Sequence, residues 1–371
     1  MSTLCKAAWN HIQINAEGTI NPCCMFSPTI YLNRYDNLQD AFDGIENQTM
    51  RNNMLKNVSI EGCHKCDLYE SLNKKSYRSY FNEKYDDLTI GNPKIRELEI
   101  ALDNVCNFKC VTCSSRFSNA WFEEDKQLNE INLRRYSLAL EKNSPIINNE
   151  IDLKKIDLSE LSFLKIIGGE PFINKKYLSL LELVDLSKLD FLIVTNNSIF
   201  PKKWIKYILE MKNATIFISL DGVYEVGEFV RYGMNFDKFN RNLLKWKNIS
   251  ENNKNVNLIF NFVAHSMNIL NYNDTRKYLI DMGFDIQALE IDFLKEPSYI
   301  NLINLPLKTK NFIEKKLIKT EKTQMIIDYM YSKKENMDKV NDFIKYFMFL
   351  ENRKPLPLEC EIIFNNVIEN K

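Results

Sequence analysis

Three cysteines, Cys106, Cys110 and Cys113, lie within one short stretch that follows a strand-like segment and precedes a polar, helix-like one. Thiolates at such spacings are typical ligands of iron-sulfur clusters, and a cluster of four irons needs four ligands. Three cysteines leave one iron open to a small molecule. The alternative is structural zinc, which takes four ligands, commonly in two CxxC-like pairs, whereas this group is a single triplet.

Two glycines and a glutamate, Gly168, Gly169 and Glu170, follow a later strand-like segment. Glycines at the end of a parallel strand let the backbone approach a ligand closely, and a carboxylate accepts hydrogen bonds from an ammonium group. Arg231 lies further along the chain, and its planar fork suits a carboxylate. The Gly-Gly-Glu run indicates a ligand site, and the alternative is an ordinary strand-to-helix loop.

The elements that must position these residues alternate in type along the chain. Six strand-like segments are separated by helix-like ones, which predicts an α/β fold with a parallel sheet and crossover helices. Six β/α units are two fewer than a closed eightfold barrel has. The predicted strands are 98–102, 163–167, 191–195, 215–220, 256–264 and 286–293, and the main predicted helices are 121–142, 201–211, 236–247 and 272–282.

Charge and composition limit the classes of partner. The 371 residues include 49 Lys and Arg against 49 Asp and Glu, so nothing in the net charge favours nucleic acid or an anionic membrane surface. The sequence has no secretory signal pattern and no apolar run of about 18 residues, and we expect a cytoplasmic protein. In a reducing compartment, nine cysteines indicate metal binding rather than disulfides.

A second group of cysteines lies near the N-terminus. Cys5, Cys63, Cys66 and one of the adjacent Cys23 and Cys24 supply four thiols, enough for a second four-iron cluster or for structural zinc. Neighbouring residues on an extended chain point to opposite sides, so only one of the adjacent pair is expected to be a ligand. The residues alone leave both metals open.

The same region contains a predicted β-hairpin, with strands at 11–15 and from residue 20 and a turn at Gly18. A helix-like stretch follows at 38–55. We therefore predict a small cysteine-rich module over residues 1–85, a β/α core over 94–295 and a helical C-terminal extension over 296–371.

Taken together, the motifs of the core resemble the radical S-adenosylmethionine (SAM) superfamily. The matching features are the CxxxCxxC triplet, the Gly-Gly-Glu-Pro loop, the Thr-Asn pair that ends the third strand, the Ser that ends the fourth, and a downstream Arg. The resemblance implies a partial (β/α)6 TIM-like barrel in which the triplet holds a 4Fe-4S cluster. Its open iron would chelate SAM, whose other groups would contact Gly168, Gly169, Glu170, Asn196, Ser219 and Arg231.

Residues 1–85 resemble the twitch and SPASM modules that hold auxiliary clusters in this superfamily, where Gly-x-x-x-Pro-Cys and a downstream CxxC are typical. The resemblance implies that Cys23, rather than Cys24, joins Cys5, Cys63 and Cys66 in a second 4Fe-4S cluster. Two features depart from the usual pattern. The module precedes the core instead of following it, and Thr112 stands where an aromatic residue is common.

The resemblance also implies an activity: reductive cleavage of SAM to a 5'-deoxyadenosyl radical that abstracts hydrogen from a substrate. An electron donor such as a flavodoxin or ferredoxin would be needed. We expect peptide or protein modification ahead of oxidation or epimerisation of a small molecule such as a sugar or cofactor precursor. A non-catalytic iron-sulfur or zinc protein is the alternative from another class, and neither a nucleic acid nor a membrane partner is expected.

Overall fold

The computed structural model describes residues 2–27, 30–31, 35, 37–86, 90–133, 135, 137–149, 151–351, 353 and 356–371. In chain order the strands are β1 (His11–Ile14), β2 (Thr19–Asn21), β3 (Ile30–Tyr31), β4 (Glu97–Ile100), β5 (Lys109–Cys110), β6 (Phe163–Ile166), β7 (Asp190–Thr195), β8 (Asn213–Ser219), β9 (Arg231–Tyr232), β10 (Val256–Ala264) and β11 (Leu289–Phe293).

Helices separate most of these strands. They are α1 (Ala7–Asn10), α2 (Leu38–Asp43), α3 (Ile45–Leu55), α4 (His64–Ser71), α5 (Tyr77–Lys84), α6 (Phe122–Glu130), α7 (Leu138–Glu141), α8 (Lys176–Leu181), α9 (Ile205–Glu210), α10 (Tyr224–Val230), α11 (Phe236–Asn252), α12 (Tyr272–Asp281), α13 (Leu307–Lys316), α14 (Glu321–Tyr331), α15 (Met337–Leu350) and α16 (Leu358–Glu369). The fold is mixed α/β, and the pairs β1/β4, β4/β6, β6/β7 and β10/β11 are parallel.

The chain divides into two compact units. The first unit comprises Met1–Asn104, Ile146–Ile193 and Pro201–Ala214, and the second comprises Val105–Pro145, Val194–Phe200 and Thr215–Lys371.

In the first unit, a sheet runs in the order β7, β6, β4, β1, β2, β3. On β6 and β7, buried residues alternate with half-buried ones because successive side chains point to opposite faces. On β4 both faces are buried, with Leu98 and Ile100 on one and Glu97 and Glu99 on the other. The strand β1 pairs in parallel with β4, in the register His11 to Glu97.

The predicted N-terminal hairpin is present, since β1 and β2 pair antiparallel and Gly18 has a φ of 74° at the turn. The hairpin is part of the same sheet as β4, whereas the sequence placed it in a module that ended at residue 85. The hydrophobic alternation of a half-buried hairpin does not specify which strand lies beside it, so the sequence did not reveal this pairing.

In the second unit, β8, β10 and β11 are neighbours, and β5 and β9 form a separate two-stranded antiparallel ribbon. The helix α11 shows how its sequence fits this unit. Asn235 caps its first turn by accepting a hydrogen bond from the Lys238 N–H, and Phe239, Leu243 and Trp246 form one buried stripe.

All six predicted core strands have a counterpart, but two segments predicted as single helices are each divided, and the helices predicted over 201–211 and 236–247 span Ile205–Glu210 and Phe236–Asn252. The helix predicted over 121–142 ends at Glu130, because Asn132 adopts a left-handed φ of 61°, and α7 follows as a separate turn. The helix predicted over 38–55 is two helices divided at Gly44, whose backbone is extended. The strand predicted to begin at residue 286 begins at Leu289.

Within the described residues, none of the helices combines the length and apolar composition that crossing a bilayer requires.

Candidate functional site

The cysteine triplet lies in the second unit, on a loop whose backbone is fixed by side chains of the segment that follows it. Asn119 accepts a hydrogen bond from the Cys106 N–H at 2.9 Å, and the Ser118 hydroxyl donates to the Phe108 carbonyl at 2.6 Å. Because these bonds replace solvent contacts of the loop backbone, they restrict its conformation without using the thiols.

Aromatic and cationic side chains fix the last part of the loop. The Trp121 indole donates to the Cys110 carbonyl at 3.0 Å, and the Tyr346 hydroxyl donates to the Val111 carbonyl at 2.8 Å. The Arg135 guanidinium donates to the Cys113 carbonyl and lies over the Trp121 ring, 4.6 Å from its centroid. The three thiols themselves are half-buried.

The ribbon β5/β9 connects this loop to the predicted SAM-binding arginine. Cys110 is directly opposite Arg231, and the Val111 N–H donates to the Val230 carbonyl at 2.8 Å. Gly233 follows with a φ of 104°, and a Cβ on it would lie 2.7 Å from the Asn107 carbonyl oxygen. Glycine is therefore needed where the ribbon meets the cysteine loop.

Arg231 is 7% exposed and forms an ion pair with the nearly inaccessible Asp221, with Nη1 and Oδ2 2.6 Å apart. The Nε atom of Arg231 is buried and has no hydrogen-bond partner among the described residues. Asp221 also accepts a bond from the Val263 N–H at 3.0 Å. One edge of the guanidinium is thus occupied, while its Nε is left for an acceptor that the described residues do not supply.

Asn196 is another predicted SAM contact, and it lies beside the cysteine loop. Its Nδ2 donates a hydrogen bond to Asn107 Oδ1 at 3.0 Å and lies 3.8 Å from the Cys106 sulfur. Hydrogen bonds to cluster sulfurs are one of the ways a protein tunes a cluster's potential. Ser219 is half-buried at the end of β8, in the same unit.

Burial and nearby charge act in opposite directions on the triplet. Burial raises the pKa of the Cys110 thiol to about 12, and the Arg231 guanidinium opposes this shift. Burial likewise raises the pKa of Cys113. Because metal ligands are thiolates, binding of a cluster would have to displace protons from these thiols.

The Gly-Gly-Glu-Pro loop belongs to the first unit. Gly168 has a φ of 109°, and a Cβ there would come within 3.0 Å of both the Ala101 Cβ and the Asp103 carbonyl oxygen. Gly169 is half-buried. Glu170 is 1% exposed and accepts a hydrogen bond from the Phe172 N–H at 3.3 Å, so its carboxylate is held at the start of a short helical turn.

Four N-terminal cysteines line one small cavity of the first unit. These residues are Cys5, Cys23, Cys63 and Cys66. Cys24 instead lines a larger cavity of the same unit, which Cys66 also borders. The adjacent cysteines therefore line different cavities, although they lie in a turn and not on an extended strand.

The thiol cavity is enclosed by apolar and charged neighbours. Trp9, Met50 and Phe81 belong to the hydrophobic cluster that includes Cys5. Arg78 also lines the cavity, and its guanidinium binds Glu70 at 2.8 Å and Asp67 at 2.6 Å.

Burial raises the pKa of Cys5 to about 12 and raises the pKa of Cys23 and Cys63 as well. Across the part of the chain that the structure describes, no three His, Cys, Asp or Glu side chains lie close enough together to bind one metal ion. A four-iron cluster holds its thiolates further apart than a single zinc ion does, because the irons and sulfides lie between them.

Sequence reasoning missed two relationships: the pairing of Cys110 with Arg231 and the ion pair of Arg231 with Asp221. The Ser-Leu-Asp-Gly run placed Asp221 near a strand end, which is the only sequence feature that could have suggested it.

No model of a known protein family matches this chain, and no curated protein matches it significantly. Among solved structures, hexahistidine-tagged anSMEcpe with bound AdoMet aligns at 18% identity and a TM-score of 0.41, over 66% of this chain and 61% of that one. Native anSMEcpe with bound AdoMet and the Cp18Cys peptide aligns at 17% identity and a TM-score of 0.36, over 68% and 58%.

SuiB of Streptococcus suis aligns at 15% identity and a TM-score of 0.39, over 88% of this chain and 69% of that one. This chain therefore spans less than two thirds of the anSMEcpe chains that it matches. At these identities and TM-scores the likeness supports no inference about the function of this chain.

Proposed function

We propose that this chain is a radical SAM enzyme. The observation that carries the proposal is the arrangement of the cysteine loop: three thiols at CxxxCxxC spacing, on a backbone fixed by surrounding side chains, with Cys110 opposite a buried arginine. A purely structural loop would have no need for three half-buried thiols and an arginine Nε that lacks a partner among the described residues.

The residues fit the roles that this function requires. Cys106, Cys110 and Cys113 would bind three irons of a 4Fe-4S cluster and leave the fourth open. Arg231 would donate from its unpaired Nε to the carboxylate of SAM while Asp221 holds the opposite edge of the guanidinium in place. Asn196 would orient the Cys106 thiolate through its amide.

In the first unit, Gly168 and Gly169 would admit a ligand close to the backbone, and Glu170 would accept a hydrogen bond from the amino group of SAM. Ser219 would contact the ribose. When bound, the cluster and SAM together supply a 5'-deoxyadenosyl radical that abstracts hydrogen from a substrate. The chain's own residues position the reactants and exclude water and competing hydrogen donors.

We further propose that Cys5, Cys23, Cys63 and Cys66 hold a second 4Fe-4S cluster. Support comes from the single cavity that these four thiols line and from the placement of Cys24 outside it. The second cluster would accept the electron left on an oxidised substrate or shape the substrate pocket. The substrate is a peptide or protein in the reading we favour, or else a small molecule, and a flavodoxin or ferredoxin would supply the electron.

The test is anaerobic reconstitution followed by iron counting and an assay for 5'-deoxyadenosine with SAM and dithionite. Wild type is expected to bind about eight irons and to cleave SAM, whereas the triple variant Cys106→Ala/Cys110→Ala/Cys113→Ala should bind about four and cleave none. Cys360→Ala is the matched control, because this thiol is fully buried on α16, away from both cysteine groups in sequence.

A wild-type protein with about four irons and full SAM cleavage would mean that the N-terminal cysteines bind zinc or nothing. A fully loaded protein that neither binds nor cleaves SAM would exclude the enzyme and favour a non-catalytic iron-sulfur protein.

A further inference from the structure

The first unit contains a cavity of about 500 Å³ that the proposed cluster chemistry does not explain. One wall is formed by side chains from the strands β1, β4, β6 and β7, and the opposite wall is formed mainly by α4, α5 and the segment between them. A cavity of this size accommodates a small organic ligand or one side chain of a larger one.

The strand wall is polar, although it is covered by protein. In the sheet, Glu97 of β4 lies between His11 of β1 and Phe163 of β6. Two residues further along β4, Glu99 lies beside Lys165 of β6. Glu97 and Glu99 are two residues apart on β4, so they project to the same face. They are only 3% and 5% exposed.

Each carboxylate accepts hydrogen bonds on one oxygen only. The Oε1 atom of Glu97 accepts from the Tyr85 hydroxyl at 2.7 Å and pairs with the Lys84 ammonium at 2.7 Å. No hydrogen bond of its Oε2 atom occurs among the described residues.

Glu99 repeats this arrangement. Its Oε1 atom accepts from the Gln13 amide at 2.7 Å and lies 3.4 Å from the Lys165 ammonium. Its Oε2 atom likewise has no hydrogen bond in the described part of the chain. Two side chains that are more than nine-tenths buried thus each present an oxygen without a hydrogen bond to the same cavity.

Glu97 and Glu99 are 3% and 5% exposed, so few water molecules can reach their Oε2 atoms, and a ligand that donates hydrogen bonds is favoured at these two oxygens. The charge of each carboxylate is already balanced by a lysine, Lys84 or Lys165. A ligand cation would therefore gain little attraction here. A neutral hydroxyl or amide donor suits the two oxygens better.

The mouth of the cavity is aromatic. Tyr69, Tyr77 and Tyr80 border it and are 45%, 46% and 50% exposed, although tyrosine rings usually bury most of their surface. These exposed rings lie at the same cavity as the Glu97 and Glu99 carboxylates. They offer an apolar surface for the carbon skeleton of a ligand whose polar groups point towards those carboxylates.

We propose that this cavity is a binding site for a neutral ligand that donates hydroxyl or amide hydrogens to Glu97 and Glu99 and packs its carbon skeleton against Tyr77 and Tyr80. The identification of this ligand as the substrate rests on the proposed function. The binding of such a ligand at this site does not depend on that function. The donors could belong to a peptide side chain or to a sugar, since both present the same groups.

The experiment is ligand-observed NMR with the reconstituted full chain, without SAM or reductant. The probes are N-acetylserine methylamide and N-acetylasparagine methylamide for the peptide source and methyl β-glucoside for the sugar source. N-acetyllysine methylamide tests for a preference for cations. We expect a neutral probe to bind. If the peptide probes bind more tightly than the glucoside, the natural ligand is a peptide side chain, and if the glucoside binds more tightly, it is a sugar.

Glu97→Gln and Glu99→Gln should each weaken the neutral probe by about tenfold or more, the loss expected for one hydrogen bond to a charged group. Glu83→Gln, a change at an exposed carboxylate on α5, should leave binding unchanged. Leu192→Phe narrows the cavity without changing a charge and should abolish binding, which keeps the test decisive if a glutamate variant misfolds.

Three results would overturn the proposal: no neutral probe binds wild type, binding survives Leu192→Phe, or only the lysine probe binds. Displacement of the neutral probes by SAM would also overturn it, because the cavity would then be the cofactor's. Probe binding by a protein that cleaves no SAM would reject the proposed function and leave this site standing.

Discussion

Cys110 and Arg231 face each other across the two-stranded ribbon β5/β9, and the guanidinium of Arg231 is at the same time paired with Asp221 at 2.6 Å. In the second unit, the backbone ladder therefore joins a residue of the cysteine loop to a buried cation, and an ion pair joins that cation to a buried anion. A substitution of Arg231 should therefore change both the stability of the fold and the conformation of the cysteine loop.

Replacing the cation tests this link. Arg231→Met leaves Asp221 buried and unpaired, and we expect a loss of about 3–5 kcal/mol in the free energy of unfolding. Asp221→Asn in the same chain removes the unpaired charge and should recover part of that loss. Denaturant unfolding of the two single variants and the double variant measures the coupling. Strictly additive effects would show that the pair is not energetically linked.

The glycine that lets the ribbon approach the cysteine loop gives a second prediction. Gly233→Ala places a Cβ 2.7 Å from the Asn107 carbonyl oxygen, so we expect a loss of more than about 2 kcal/mol and weaker retention of iron at the triplet. Gly18→Ala is the control, because its φ is also positive at 74° but no atom lies within 4 Å. It should cost only about 1 kcal/mol and leave the iron content unchanged. Equal effects of the two variants would contradict the role of close approach.

The adjacent cysteines give a third prediction. Cys23 lines the cavity of the other three thiols and Cys24 does not, so Cys23→Ser should lower the iron content by about four per chain, whereas Cys24→Ser should leave it at about eight. Iron and sulfide analysis after anaerobic reconstitution provides the measurement. The reverse result would place Cys24 among the ligands.

The sequence predicted the strands well because their apolar residues follow a short-range alternation. Leu98 and Ile100 were recognisable as one buried face of β4 from their spacing alone. The burial of Glu97 and Glu99 on the other face could not be recognised from the sequence, because charged residues at alternate positions usually indicate a solvated face. They are covered by groups distant in sequence, among them Gln13 and Lys165, which local pattern does not specify.

The site shows the same division between local and distant information. The triplet and the Gly-Gly-Glu loop were found by spacing, because their chemistry depends on residues close in sequence. The position of Arg231 opposite Cys110 was not found in this way. The pairing of β5 with β9 joins segments that are far apart in the sequence, and each strand has only two residues. Helix ends were missed where a single residue decided them, as at Asn132.

A buried histidine makes the last prediction one about pH. His265 is fully buried in the second unit; its Nδ1 accepts from the Met267 N–H at 3.2 Å, and its Nε2 has no hydrogen-bond partner among the described residues. Burial lowers its pKa from 6.5 to about 4, and the nearby Asp221 opposes the shift. Because the unfolded chain binds this proton more readily than the folded one, the histidine favours folding above pH 6.5, and this contribution is lost as the pH falls towards 4.

The size of the effect follows from the difference between the two pKa values, which corresponds to roughly 3 kcal/mol. His265→Gln retains an acceptor for the Met267 N–H but does not titrate. Between about pH 7 and pH 4, wild type should therefore lose about 3 kcal/mol more unfolding free energy than this variant does, measured by denaturant titration. Ser266→Ala, a change at a neighbouring buried side chain, is the control and should shift stability equally at both pH values. A difference between wild type and His265→Gln that stays constant with pH would show that His265 does not carry the effect.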